Sequence, residues 1–321
     1  MNLPKPTDLD VAGKRVILRL DLDTNPDPND LRIRSSKETL DFLKENGASE
    51  IIIIGHKGRP EGKSNETLSL KPFEPIFAEW GAVVKENLRF NPGEEANDET
   101  FAREIASWGD VYINEAFASS HRNHASIVGV PKFLPHAAGF HFVSEIEHLG
   151  YVLENPKRPL VFLISGVKED KLLYIKELEK FADKVLIGGK LPDYLGDEKL
   201  VSVRSRGESD KLIIGNLIMD KEDITIHTIE RFVGELSKAG TIVVSGPLGR
   251  FEDEGHRQGT ESVFEAISRS SACKIAGGGD TETALNLFGL QNTFDWVSVG
   301  GGAMLEFLSK KTLPGVEALL K

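Results

Sequence analysis

Short apolar runs rich in β-branched residues alternate along this chain with longer segments whose apolar positions recur every three or four residues. That alternation predicts βαβ units around parallel sheets, an α/β fold of two Rossmann-like domains flanked by helices. In the first half, strands are predicted at 15–22, 50–56, 82–86 and 110–116, with helices at 35–46, 70–80 and 98–108. In the second half, strands are predicted at 160–165, 184–188, 199–203, 241–245, 273–276 and 296–299. Runs such as Ile51 to Ile54 are apolar at every position, which suits strands covered on both faces. The segment 143–153 reads as a helix, stopped by Asn155 and Pro156. It separates an N-terminal domain at 1–142 from a C-terminal domain at 156–302, with 143–155 as the hinge connector and 303–321 as a final segment. The expected site is the cleft between the halves.

The length of 321 residues fits two domains at about 150 residues each. The charge balance of 39 Lys and Arg against 50 Asp and Glu, net −11, argues against a nucleic-acid binder held by bulk charge. Any anion site must therefore be locally basic. The single cysteine, Cys273, cannot pair within the chain, and the opening residues lack the apolar core of a signal peptide. No apolar run approaches the roughly 18 residues of a membrane span. A soluble chain in a reducing cytoplasm is expected, with neither nucleic acid nor membrane as partner. Nothing in the pattern suggests an obligate apolar interface, so a monomer is expected.

In open α/β sheets ligands bind beyond the carboxyl ends of the strands, so the residues that follow each strand carry the chemistry. After the first strand come Asp21, Asp23 and then Arg32; after the second comes GHKGRP, with His56 and Arg59. ENLRFNPGEE supplies Arg89, and HRNHAS supplies His121, Arg122 and His124. So many basic side chains at one edge would repel one another unless an anion or the nearby aspartates compensated them. Arginine donates two parallel hydrogen bonds to a phosphate or carboxylate and stays charged, so a small phospho-acid fits. Taken singly, each arginine reads as a solvated surface residue and His124 as a satisfied core imidazole.

The second half presents glycine where the first presents arginine: Gly188 and Gly189, then SGPLGRFE with Glu252, then Gly277 to Gly279 with Asp280 and Thr281, then Gly300 to Gly302. Glycine admits close backbone approach, and a helix N-terminus offers free N–H groups to phosphates. The outline is that of a nucleotide polyphosphate site. Asp280 reads equally as a helix cap or as a Mg²⁺ ligand. Lys168 and Lys171, in SGVKEDK, would point from a strand end toward the same cleft as mobile charges for a phosphoryl group in transit. The string GRPEGKS, 58–64, imitates a P-loop but has three residues between its glycines instead of four and is not followed by a helical pattern, so it is set aside. GxGxxG after the first strand, CxxC and HExxH are all absent.

From about Lys14 onward the chain resembles the phosphoglycerate kinase family. The resemblance is carried by RLDLDTNP, RIR at Arg32 to Arg34, GHKGRP, SLKP, ENLRFNPGEE, DVYINEAF, HRNHAS, VGVPKFLP, GPLGRFE, GGGDT, GGGAMLEFL and LPGVEAL, in that order. It implies reversible phosphoryl transfer between 1,3-bisphosphoglycerate and MgADP, giving 3-phosphoglycerate and MgATP. It further implies that Asp21, Asp23, Arg32, His56, Arg59, Arg89 and Arg122 surround 3-phosphoglycerate. Lys168, Lys171, Gly188, Gly189, Glu252, Gly278, Gly279, Asp280 and Thr281 would serve the nucleotide, with Glu252 at the ribose and Asp280 at the magnesium. Arg32, Lys171, Gly278 and the Gly301 backbone would meet the transferring group after bending about the 143–153 helix. The segment around 313–321 would pack back on the N-terminal domain.

Four features depart from the family pattern, one of them KEDK, which sets Lys168 and Lys171 one residue closer than is usual, a spacing that on a helix would still keep both on one face. Asp23 and Ser245 stand where asparagine is usual, and the stretch after Gly189, through Leu200 to Asp223, is short and lacks familiar parts of the nucleotide pocket. Two alternatives therefore stay open at this level: a catalytically weak relative acting as a binding protein, and a kinase of altered phospho-acid or nucleotide preference.

Overall fold

The computed structural model describes residues 1–195 and 211–321. The chain divides into two compact units, one of Met1–His148 with Thr312–Lys321 and one of Leu149–Lys311. The predicted strand at 199–203 lies outside the described residues.

The first unit is built on β1 (Arg15–Arg19), β2 (Glu50–Ile54), β3 (Val83–Val84), β4 (Val111–Asn114) and β5 (His136–Ala138). They form one parallel sheet in the order β3-β2-β1-β4-β5. β1 lies at its centre, with Val16 level with Ile51 on one side and Val111 on the other. Helices α1 (Lys37–Glu45) and α2 (Glu99–Ala106) and the start of α3 (Phe140–Glu154) belong to this unit. Val16, Leu18, Leu40, Ile53, Phe73 and Phe77 pack in one buried cluster, which removes enough apolar surface to fix the register.

The second unit carries β6 (Leu160–Ile164), β7 (Lys184–Ile187), β8 (Leu212–Ile214), β9 (Thr241–Ser245), β10 (Cys273–Gly277) and β11 (Trp296–Ser298) in the parallel order β11-β10-β9-β6-β7-β8. Helices α4 (Ile226–Leu236), α5 (Gln258–Arg269), α6 (Gly279–Leu287) and α7 (Gly301–Lys310) accompany them. β6 and β9 are buried at every position, as their unbroken apolar sequence requires for strands covered on both faces. The last helix, α8 (Pro314–Leu319), returns to the first unit, where Gly315 N donates to the Ser120 carbonyl at 2.9 Å.

In both sheets the order reverses beside a central strand, between β1 and β4 in the first and between β6 and β9 in the second. Loops leaving the carboxyl ends at such a reversal run in opposite directions and open a crevice.

The observed elements differ from the sequence expectation at identifiable points. The helix expected over 70–80 is a single α-turn, Glu74–Phe77, between two 3₁₀ turns, because Pro72 and Pro75 withhold the N–H groups that a continuous helix needs. β5 and β8, of three residues each, were not anticipated. Helix α3 contains the predicted 143–153 and starts three residues earlier, while α7 and the residues up to Lys311 belong to the second unit, so the returning segment begins at Thr312 rather than at 303.

The early start of α3 has a cause. Glu115, just past β4 and buried, accepts from Phe142 N at 2.8 Å, from His141 N at 3.2 Å and from the Thr39 hydroxyl at 2.6 Å. The Thr39 hydroxyl in turn accepts from Phe140 N at 3.0 Å. A carboxylate thus satisfies N–H groups that a helix start leaves without internal partners. Replacing it strands those groups out of water. Glu115→Ala is expected to lower the unfolding free energy of the first unit by about 2–3 kcal/mol. The check is the urea transition followed by Trp80 and Trp108 fluorescence in a Trp296→Phe background, where the midpoint falls and the slope is unchanged.

Candidate active site

At the reversal in the first unit, Asp21 follows β1 and is buried; its carboxylate accepts from Ala118 N at 2.8 Å and from the Ser119 hydroxyl. The loops after β1 and β4 are tied together there. Asp23 is exposed and accepts from Gly58 N at 2.8 Å, while its carbonyl accepts from the Arg32 guanidinium. The acidic substitution at 23 is thus held by a backbone donor, and its charge also reaches Arg89.

Arg89 is 1% exposed. Its Nη1 donates to the Gly58 carbonyl at 2.6 Å. Its Nε lies 3.2 Å from Glu95 Oε1 but out of line for a hydrogen bond, and its buried Nη2 has no partner among the described residues. Burial and the neighbouring Arg122 lower its proton affinity. A buried guanidinium donor without an acceptor is costly, and an anionic ligand would relieve it. His56, also buried, is pushed well below the usual imidazole range by burial, then by Arg19, Arg89, Arg122 and His124. It is therefore neutral. Arg32 and Arg122 are half-buried and Arg59 is exposed.

Arg19, the last residue of β1, is fully buried although sequence reading gave it no role. Its Nε donates to Ser126 Oγ at 2.9 Å, its Nη1 to the Leu20 carbonyl and its Nη2 to His56 Nδ1 at 2.8 Å. Ser126 donates from Oγ to Glu94 Oε1 at 2.6 Å and from N to Glu94 Oε2 at 2.9 Å. Burial alone would raise the Glu94 carboxyl, but His124, Arg19 and Ser126 hold it below the usual range. Glu94 is thus the buried counter-charge to Arg19, one hydroxyl away. The available signal was the charged residue inside an otherwise apolar run, VILRL.

In the second unit, Lys171 Nζ donates to the carbonyls of Ser165 and Ser245 at 2.6 and 3.0 Å, at the carboxyl ends of β6 and β9 where the sheet order reverses. Burial lowers its pKa to about 8, with Lys168 adding in the same direction and Asp280 opposing. Gly246, at φ +101°, permits this approach, since a Cβ there would lie 2.7 Å from Lys171 Nζ and 2.2 Å from the Ser165 carbonyl oxygen. Thr281 Oγ1 accepts from Gly246 N at 2.8 Å and donates to the Gly277 carbonyl at 2.9 Å, joining the ends of β9 and β10.

A cavity of about 270 Å³ opens beside these groups, with Gly189, Leu248, Phe251, Glu252 and Asp280 in its wall. Gly188 lies behind it, packed so closely that a Cβ would fall 2.2 Å from Leu248. Two helix starts converge nearby: α6 follows Gly278 and α7 follows Gly300, so closely that a Cβ at Gly301 would lie 3.0 Å from Gly278 Cα. Lys190, Glu222 and Arg250, which sequence reading did not select, also line the cavity. Glu222 pairs with both cations, at 3.2 and 3.7 Å.

Two expectations need correction. Asp280 is not the cap of α6, a position held by Gly278; it sits exposed in the first turn, where a negative charge favours the helix dipole. Lys168 does not share a helical face with Lys171: it is exposed and precedes the 3₁₀ turn Glu169–Tyr174 that contains Lys171. The P-loop imitation is an exposed loop without a following α-helix.

The family model described as phosphoglycerate kinase matches residues 7–82, 77–223 and 202–311 of this chain. A phosphoglycerate kinase of Moorella thermoacetica is 35% identical over 384 aligned positions, covering 97% of this chain and 98% of that protein. Since 384 positions exceed the 321 residues here, the alignment contains gaps in this chain. The structure of phosphoglycerate kinase from Coxiella burnetii is similar at a TM-score of 0.83 with 29% identity, over 99% of each chain. That from Pyrococcus horikoshii OT3 also scores 0.83, with 25% identity, over 99% of this chain and 98% of the other. With the ordered motifs, the two parallel sheets and the residues gathered at their reversals, these matches make the chain a phosphotransferase that belongs to the phosphoglycerate kinase family.

Proposed function

We propose that this chain catalyses reversible phosphoryl transfer between 1,3-bisphosphoglycerate and MgADP, yielding 3-phosphoglycerate and MgATP. The observation that carries the reading is the pairing of a cation-lined crevice in one unit with a glycine- and helix-start-lined cavity in the other. Arg32, Arg59, Arg89, Arg122 and His56 bind the glycerate, with Asp21 and Asp23 fixing the loops and taking its hydroxyl. The partnerless Arg89 Nη2 supports an anion at this position.

The polyphosphate of the nucleotide lies against Lys171 and the starts of α6 and α7, and Glu252 holds the ribose. Asp280 holds Mg²⁺. A single exposed carboxylate fits an ion bound chiefly through phosphate oxygens and water, and no cluster of three His, Cys, Asp or Glu able to cage a metal occurs among the described residues. When bound, the ion neutralises phosphate charge. In-line transfer needs little covalent work from the protein and depends on position and charge. Arg32 and Lys171, with the Gly278 and Gly301 backbones, neutralise the oxygens of the group in transit, and flexing of α3 brings donor and acceptor into line while excluding water. The chain works as a cytoplasmic monomer.

The direct test is Mg²⁺-dependent turnover of 3-phosphoglycerate with a panel of nucleoside triphosphates. Turnover with ATP is expected, and its absence with every donor would overturn the reading. Arg32→Ala should lower kcat on the order of 10³-fold while nucleotide affinity stays within a few-fold, as expected of a charge placed on the transition state. Because Lys171 loses its proton near pH 8, kcat/KM for the nucleotide should fall as pH rises through about 8. Lys171→Met should be slow at every pH and lack that descending limb.

A further inference from the structure

We infer that Arg19 is a positioning residue: its buried guanidinium fixes His56 as the imidazole whose one proton sits on Nε2, making His56 a neutral donor to the bound glycerate. The inference rests on the glycerate reading above and assigns a task to a residue outside the group that touches the ligand.

Arginine has no acceptor and does not lose its proton in proteins, so the 2.8 Å contact between Arg19 Nη2 and His56 Nδ1 has one polarity. Nδ1 accepts. A neutral ring that accepts at Nδ1 carries its proton on Nε2. The guanidinium cannot turn to allow another arrangement, because Nη1 is committed to the Leu20 carbonyl and Nε to Ser126 Oγ. Ser126 is committed in turn: its own hydroxyl proton goes to Glu94, leaving its lone pair for Arg19.

Burial comes first, and Arg19, Arg89, Arg122 and His124 all act on the ring in the same direction, each disfavouring a second proton. A protonated His56 would add a like charge to a crowded pocket, and the Nδ1–H tautomer would set a proton against a guanidinium proton. A lysine at 19 would retain the charge but not the three-way fork. A purely structural arginine would hold strands together without dictating which ring nitrogen bears the hydrogen.

The experiment reads the tautomer directly. Long-range ¹H–¹⁵N spectra of the labelled full chain, with His56 assigned from His56→Gln, should show the Nε2–H neutral pattern from pH 6 to 8. In Arg19→Met, shown to be folded by its circular dichroism and melting, the pattern should give way to mixed tautomers or a titrating ring. KM for 3-phosphoglycerate should then rise at least tenfold while KM for the nucleotide stays within twofold. Arg19→Lys replaces the methionine variant if that fails to fold, with the same expectation.

An imidazolium or Nδ1–H signal for His56 in the unaltered chain overturns the inference. So does a folded variant that keeps the Nε2–H pattern, or one that loses it without affecting KM for 3-phosphoglycerate. Should the unaltered chain show no turnover with 3-phosphoglycerate, the functional reading fails instead, and the spectrum still decides the tautomer.

Discussion

Holding several positive charges side by side out of water is the constraint around which the first unit is arranged. Arg19 and Arg89 are at most 1% exposed, so solvent does little to screen either. The unit meets the constraint in three ways. It buries one full counter-charge, Glu94, within reach of Arg19 through Ser126. It keeps His56 uncharged. It gives other guanidinium donors to backbone carbonyls, at Leu20, Gly58 and Asp23. What remains is an excess of donors facing a crevice, which is the state an anion-binding pocket requires before its ligand arrives.

The second unit solves the opposite problem. Its chemistry needs close backbone approach more than charge, so the sheet reversal is lined with glycine and stapled by one ammonium. Lys171 bonds two strand-end carbonyls at once, which holds β6 and β9 in position and sets the ammonium beside the cavity. The cost is desolvation, visible in its lowered pKa. The shared architecture of the two sheets explains how such different pockets arise at equivalent places: topology provides a crevice, and the residues after each strand decide what it binds.

Much of this was legible in the sequence because the strands are unusually plain. β9 was predicted to the residue, and the cores of β1, β2, β4, β6, β7 and β10 were recognised, since fully covered strands leave long apolar runs. β5, three residues long and preceded by Pro135, leaves no such trace. Arg19 escaped notice for a related reason. A charged residue at a strand end reads as an exit to solvent, and only the distant partners Glu94, Ser126 and His56 reveal that it points inward. In the sequence Lys171 reads as a mobile charge beyond one strand end, whereas its bonds are to carbonyls contributed by two strands far apart in the chain. Spacing arguments on one helix cannot anticipate such contacts.

The second unit is one uninterrupted stretch, whereas the first is assembled from residues 1–148 and the short return 312–321. During synthesis the second unit can close as soon as its own last helix leaves the ribosome. The first must wait for α8, whose Gly315 bonds to the Ser120 carbonyl and sits where a Cβ would meet the Ser120 side chain at 2.7 Å. The half that begins first is therefore finished last, and a ribosome stalled between codons 312 and 321 would leave the first unit without its closing helix.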